Sequence, residues 1–300
     1  MYDIIIIGGG AAGLTAGIYS QRYNLRTVIV TEHVGGLALN AYNICNFPSY
    51  QNVPGIELMK KIEEHARNEG VEFFMGRVEQ IKKEKDKFII ITPEKSLEAK
   101  KIILAIGTKQ RRLNFENGDK FLGRGISYCA TCDASLFRNK EVGVVGGGNS
   151  ALTSALLLSE YAEKVYIIHR KKEFSRADPA WVKQVNENKK IECIFETEVS
   201  KIMGKEFLES AELSNGKILK IDGLFVEAGS IPNKEVLNQT GIKTNENGYI
   251  ITDDEQRTNI EGIYAAGDIT NNKLKQIITA CAGGAIAAYQ AYKDISKERS

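Results

Sequence analysis

Two stretches of the chain carry one pattern. Residues 2–32 read YDIIIIGGGAAGLTAGIYSQRYNLRTVIVTE, and residues 140–170 read KEVGVVGGGNSALTSALLLSEYAEKVYIIHR. Each is an apolar run of strand length, a glycine turn, a segment with helical apolar periodicity and a second apolar run. A strand that feeds a helix through so tight a turn and returns as a parallel strand is the βαβ unit of dinucleotide-binding folds. Its double occurrence in 300 residues predicts an α/β chain with two such domains, because a single core stops growing near this size.

The rest of the chain fits between and after these units. Residues 73–106 alternate β-rich runs (FFMGRVEQI, KFIIIT, KKIILAIGT) with charged turns, and a like series (IECIFETEVSKIM, SAELSNGKIL, IDGLFVEAGSIPN) follows the second unit. The last segment, GIYAAGDIT and then LKQIITACAGGAIAAYQAYKDI, predicts a strand, a turn and a closing helix over 274–295. Polar turn residues separate periodic segments near 112–116 and 242–247, which is where the domain junctions are expected.

The two turns differ where a nucleotide would be read. Gly8, Gly10 and Gly13 have the G-x-G-x-x-G spacing that lets backbone approach a pyrophosphate seated on a helix N-terminus. Glu32, 24 residues after Gly8, closes the next strand, where a carboxylate accepts hydrogen bonds from ribose hydroxyls. In the second copy, Gly146, Gly148 and Ala151, the same offset lands on Arg170, flanked by His169, Lys171 and Lys172 with Arg176 nearby. A carboxylate repels a 2′-phosphate and a basic cluster pairs with one. The first site is therefore expected to take FAD or NAD and the second NADPH; the bland alternative is that HRKKEFSR is a solvated loop. Two dinucleotides in one chain imply electron transfer between them, and FAD accepts the hydride that NADPH delivers. Asp268, ending YAAGD, is placed for a ribitol hydroxyl, and the helix after Gln276 for the charge of a reduced flavin.

Composition narrows the class. Forty basic against 38 acidic residues leave a net +2, so no overall bias toward nucleic acid or an anionic membrane is expected. The uncharged run 4–20 lacks a basic region ahead of it, carries five glycines and falls short of the ~20 apolar residues of a spanning helix. The expected compartment is the cytoplasm, where thiols stay reduced and static disulfides are rare. Cys129 and Cys132 form a Cys-x-x-Cys pair followed by Asp133, a spacing that serves zinc, a structural disulfide or a redox dithiol. A structural zinc site normally has four ligands, and Cys45, Cys193, Cys281, His33, His65 and His169 are scattered, so no metal is expected. The three lone cysteines read as small core residues. A redox dithiol needs a proton source and an electron supply; Asp133 and a flavin would provide them.

The order of these motifs resembles the low-molecular-weight thioredoxin reductases, class II pyridine nucleotide-disulfide oxidoreductases, over essentially the whole chain. The resemblance rests on the first fingerprint, NFP, GRGISYCATCD, the second fingerprint, HR, GSIPN, YAAGD and a glutamine-led helix. It implies two Rossmann-type (three-layer ββα) dinucleotide-binding domains, the second inserted into the first. The FAD domain would span 1–112 and 245–300, and the NADPH domain, carrying the cysteine pair, 113–244. It also implies a homodimer, and rotation of the inserted domain so that nicotinamide and dithiol reach the flavin in turn.

Carried over by position, the resemblance assigns FAD to Gly8, Gly10, Ala11, Ala12, Gly13, Glu32, Gly36, Leu37, Asn46, Val78 and Gly107. From the last segment it adds Gly267, Asp268, Lys275, Gln276 and Ile277. NADPH falls to Gly146, Gly148, Asn149, Ser150, His169, Arg170, Lys171, Arg176 and Gly229. Cys132 would face the flavin, Cys129 would attack the disulfide of a small thioredoxin- or glutaredoxin-like protein, and Asp133 would supply the proton. The chain departs from the family pattern at Leu37, Ala134 and Lys275. In the basic signature, a lysine replaces the second arginine and Arg176 comes one residue late. A related flavin-dependent NAD(P)H oxidoreductase or oxidase, and a non-enzymatic redox sensor, are the competing functions.

Overall fold

The computed structural model describes residues 1–237 and 240–299. Residues 238–239 and 300, counted above within 113–244 and 245–300, lie outside the described residues. The chain opens with β1 (Tyr2–Gly9), α1 (Ala11–Arg22), β2 (Thr27–Val34), α2 (Gly55–Asn68), β3 (Glu72–Met75), β4 (Gln80–Glu84), β5 (Lys87–Ile91) and β6 (Ser96–Leu104). After β7 (Thr108–Gln110) come β8 (Ile126–Ser127), α3 (Ala130–Asp133), β9 (Glu141–Gly146), α4 (Asn149–Tyr161), β10 (Lys164–His169), α5 (Pro179–Glu187) and β11 (Ile191–Phe195). A meander of β12 (Val199–Met203), β13 (Ser210–Leu213) and β14 (Ile218–Lys220) leads to β15 (Gly223–Glu227) and β16 (Ser230–Pro232). The chain closes with β17 (Ile263–Ala265) and α6 (Ile277–Arg299), a longer helix than the expected 274–295.

Two compact units result. The first comprises Met1–Leu39, Ile44–Lys109 and Pro232–Ser300, and the second Asn40–Asn43 and Gln110–Ile231. The division at 231/232 differs from the expected 244/245. Val236 is buried in an apolar cluster of the first unit, with Leu237 and Ile242 packed against it. Burial of these side chains, not the polar turn at 242–247, decides which unit the segment joins.

In the first unit the sheet order is β3-β2-β1-β6-β5-β4, with β17 also on β6. The strands around β1 are parallel, and β4-β5-β6 is an antiparallel meander. Ile4 and Ile6 of β1 point into the cluster shared with α1 and α6, while Ile5 and Ile7 point into the opposite one. That alternation explains why IIII is apolar on both faces. Helix α1 lies between the sheet and α6, so most of its residues are buried. A Cβ at Gly284 of α6 would lie 2.1 Å from the carbonyl oxygen of Ala12. Glycine there is what lets α6 close on the start of α1.

The second unit repeats the plan with an all-parallel sheet, β11-β10-β9-β15-β8, and the antiparallel sheet β12-β13-β14. One apolar cluster joins the sheet to α3 and α4, and another joins it to the meander. Each unit thus has helix, parallel-sheet and meander layers. In each sheet the strand order reverses beside the first strand, between β1 and β6 and between β9 and β15. Open α/β sheets bind ligands at such switch points, beyond the carboxyl ends of the strands.

Candidate active site

The two glycine turns stand at those switch points. Helix α1 is capped by Gly10 and α4 by Gly148; neither cap has a side chain to close the first turn, and neither first turn holds an acid. The orphan N–H groups of each helix are left for an anion. A Cβ on Gly10 or Gly148 would meet nothing within 4 Å, so the backbone is open there. The outer glycines are closely packed instead. A Cβ on Gly8 (φ +110°) would lie 2.3 Å from the Ala105 carbonyl oxygen, and one on Gly13 would lie 1.9 Å from that of Gly8. At Gly146 the obstruction is the Glu227 carbonyl oxygen, 2.4 Å away.

Around the first turn the structure gathers residues far apart in sequence. Glu32 is exposed at the end of β2. The position of a Cβ on Gly36 is 3.3 Å from the Cα of Gly10, and neighbouring Leu37 is exposed. Ala12 meets Gly267, whose Cβ would fall 2.9 Å from the Ala12 methyl. Burial pushes the Asp268 carboxyl up, partly opposed by Lys275, whose own ammonium is pushed down by burial. The Lys275 Nζ donates to the Asp268 carbonyl at 3.0 Å, which sets the loop ahead of α6. Asn46 Nδ2 donates to Gln276 Oε1 at 2.9 Å, and Ile277 begins α6 beside it. Gly107 (φ +58°) follows β6, with open space around its Cα. Val78 packs in the cluster on the meander face of the sheet, apart from the α1 side.

The second turn is built with different side chains. His169 sits over Gly147, where a Cβ would be 2.2 Å from the imidazole, and packs against Phe174 and Phe195 with ring centroids 5.6 and 6.4 Å away. Burial pushes its pKa down, and its Nε2 is buried without a partner. Arg170, Lys171 and Ser150 are exposed. Arg176, despite its late position in the sequence, forms a parallel bridge with Gly148 and so lies beside the helix cap. Asn149 exchanges two hydrogen bonds with Asp178, of 2.9 and 2.7 Å, which ties the start of α4 to the cap of α5. Gly229 (φ +83°) accepts from the Arg111 N–H at 2.9 Å. Uncapped helix ends, open glycines and an orphaned imidazole nitrogen in a basic surround fit a phosphorylated dinucleotide here. The acid-ended first turn fits FAD.

The cysteines sit beyond the edge strand of the same unit. Cys129 and Cys132 form a disulfide. Cys129 caps α3 and accepts at Sγ from the Cys132 N–H at 3.2 Å. Ser127 Oγ accepts from the Cys129 N–H at 3.0 Å and donates to the Asp133 carboxylate at 2.6 Å. Thr131 Oγ1 donates to the Asn40 carbonyl at 2.7 Å, which explains why residues 40–43 belong to this unit. Cys129 is half-buried and Cys132 exposed. The remaining cysteines correct the expectation of a common core role: Cys45 is exposed, whereas Cys193 and Cys281 are partly buried, and burial pushes both thiols up. Ala134 is buried.

Residues 2–284 match the family described as pyridine nucleotide-disulphide oxidoreductase. The chain belongs to that family. Within it, the chain groups with the low-molecular-weight thioredoxin reductases. It is 35% identical to the thioredoxin reductase of Listeria innocua, over 99% of this chain and 95% of that one. The crystal structure of Lactococcus lactis thioredoxin reductase in its FR conformation superposes with a TM-score of 0.95 at 36% identity, covering 99% of this chain and 100% of the other. That of T. acidophilum thioredoxin reductase gives 0.94 at 34%, covering 98% of each. As a member of this family the protein is a flavoprotein disulfide reductase that uses FAD and NADPH, with Cys129–Cys132 fitting the redox centre.

One polar residue of the second site escaped the sequence reading. Glu227 ends β15, pairs with Gly146 and accepts from Ser154 Oγ of α4 at 2.8 Å. The available signal was an acid closing the otherwise apolar run GLFVE.

Proposed function

We propose that the chain passes electrons from NADPH through FAD and the Cys129–Cys132 pair to the disulfide of a small thioredoxin- or glutaredoxin-like protein. The observation that carries this is the Cys129–Cys132 disulfide on the unit that holds the second nucleotide turn, with Asp133 fixed by Ser127. FAD, when bound, takes up a hydride and returns an electron pair to a disulfide. Glu32, Asp268, Gln276 and the N-terminus of α1 would hold it; Arg170, Lys171, Arg176 and the N-terminus of α4 would hold NADPH.

In the reduced pair, the Cys132 N–H that points at Cys129 Sγ stabilises a thiolate there. The proton released as the Cys129 thiolate forms passes to Asp133; Cys129 attacks one sulfur of the partner's disulfide and forms a mixed disulfide, and Asp133 returns that proton to the other partner sulfur, which leaves as a thiol. Cys132 then attacks Cys129 Sγ, which re-forms the Cys129–Cys132 bond and frees the second partner thiol. Two electrons and two protons move from enzyme dithiol to partner. Cys132 would be the member that takes up the electron pair from the flavin.

Exposed apolar side chains on α1 and α6 of the first unit, Tyr19, Ile278, Ile286 and Tyr289, support a homodimer. Three free cysteines, one of them exposed, are at home in the reducing cytoplasm.

The test is Cys129→Ser. NADPH should still bleach the bound flavin anaerobically, while reduction of a thioredoxin disulfide falls to background. Unchanged turnover would defeat the reading, and rapid peroxide formation under air without any disulfide substrate would favour an oxidase.

A further inference from the structure

We propose that Glu227 is a positioning carboxyl of the second nucleotide site that takes up a proton when the dinucleotide binds, making nucleotide affinity proton-linked. The inference rests on the reading of Gly146–Ala151 as a nucleotide turn.

Its geometry is specific to this unit. Glu227 stands at the switch point of the sheet, paired with the first glycine of the turn. The β-strand period puts it on the side of Phe225, toward α3 and α4, and the Ser154 hydroxyl reaches it from α4. The equivalent place in the first unit, the residue whose carbonyl blocks the Cβ of Gly8, is the buried Ala105. One turn thus has a methyl behind it and the other a carboxyl.

Among the described residues, no cation compensates that carboxyl. From α4 it meets Ser154, and the N-terminal half of that helix carries no charge; Glu160 at its far end is bonded to Tyr42. On β9 the charged residue, Glu141, is at the opposite end and bonded to Tyr166. From β8 and α3 the titratable groups are the disulfide cysteines and Asp133, the latter bonded to Ser127. At the end of β10 stands His169, whose charged form burial disfavours. Burial accordingly holds Glu227 up at about 7, with the Ser154 bond pulling down. A diphosphate at the N-terminus of α4 adds negative charge to this poorly solvated place and disfavours the carboxylate further. The balance is carboxylate plus nucleotide plus one proton giving the carboxyl form of the complex, with no redox change.

The test uses the FAD-loaded protein titrated calorimetrically with NADP⁺, and with NAD⁺, from about pH 6 to about pH 8.5. The wild type should lose about tenfold more affinity across this range than Glu227→Gln, which keeps an acceptor for Ser154. The 2′-phosphate ionises near pH ~6 in both proteins and cancels in that ratio. Titrations of the wild type near pH ~7.5 in buffers of different ionisation heat should show proton uptake, and this arm stands if the variant fails to fold. Parallel pH profiles with equal proton uptake overturn the role of Glu227 while leaving the nucleotide site intact. Absence of binding by either nucleotide at every pH overturns the site itself, and the inference with it.

Discussion

The first and second glycine turns share a backbone, and four of the equivalent places at which they differ bear on what each can hold. Gly13, Thr31, Glu32 and Ala105 in the first unit correspond to Ala151, His169, Arg170 and Glu227 in the second. The shared part is what any diphosphate requires: a glycine pressed against the carbonyl of the strand across the switch point, and a helix end without a cap. One differing place, Gly13 against Ala151, lies in the first turn of the helix, and the other three lie at the ends of the neighbouring strands, where a nucleotide's ribose or 2′-phosphate would be read. The two turns thus share the backbone that a diphosphate would need, while the strand ends beside them differ in chemistry.

Exchanging the third residue of each turn should break the symmetry most sharply. In Gly13→Ala the new methyl would fall 1.9 Å from the Gly8 carbonyl oxygen. Loss of bound FAD and destabilisation of roughly 3 kcal/mol or more are expected, read by flavin absorbance and denaturant melts. The reverse exchange, Ala151→Gly, adds only backbone freedom in a helix, about 1 kcal/mol. Equal effects from the two would show that the turns pack alike after all.

Next in size is the stability effect of the carboxyl behind the second turn. Glu227 is raised from 4.5 to about 7 in the folded chain, so the folded state holds a proton that the unfolded state has released. Its contribution is complete below pH ~4.5 and is lost as pH rises through about 7. Glu227→Gln should therefore match the wild type near pH ~4.5 and exceed it by on the order of 2–3 kcal/mol near pH ~8. Thermal melts at the two pH values measure it, and a pH-independent difference would contradict it.

Smallest is the reading of the 2′-phosphate. Arg170→Ala should weaken NADP⁺ binding roughly tenfold, the worth of a charge-assisted hydrogen bond, and leave NAD⁺ within about twofold. Equal losses for both nucleotides would assign the basic cluster to the diphosphate instead.

The elements most legible in the sequence were those governed by local constraints. Glycine spacing encodes a turn because no other residue fits beside the carbonyls of Ala105, Gly8 or Glu227. The Cys-x-x-Cys spacing brings two sulfurs within bonding reach on a single turn of α3. Less legible were features set by distant packing. Residues 232–244 read as part of the inserted domain, yet Val236 buries itself in the first unit. Asn40 precedes the second unit by some seventy positions and joins it through Thr131. Cys45 reads like any small apolar residue and is exposed, because burial is a property of neighbours.

By itself, the sequence determined two glycine turns of dinucleotide-fingerprint spacing, an acid at the end of one following strand and a base at the end of the other, and an adjacent pair of thiols. These follow from covalent spacing, helix and strand periods and charge, all of which act over a few residues. Tertiary structure alone decided which strands flank each turn, and so which residue stands behind it. That placed Ala105 behind one glycine turn and Glu227 behind the other, since cross-strand register joins residues about a hundred positions apart and the solvent lost in that packing sets the charge a side chain holds.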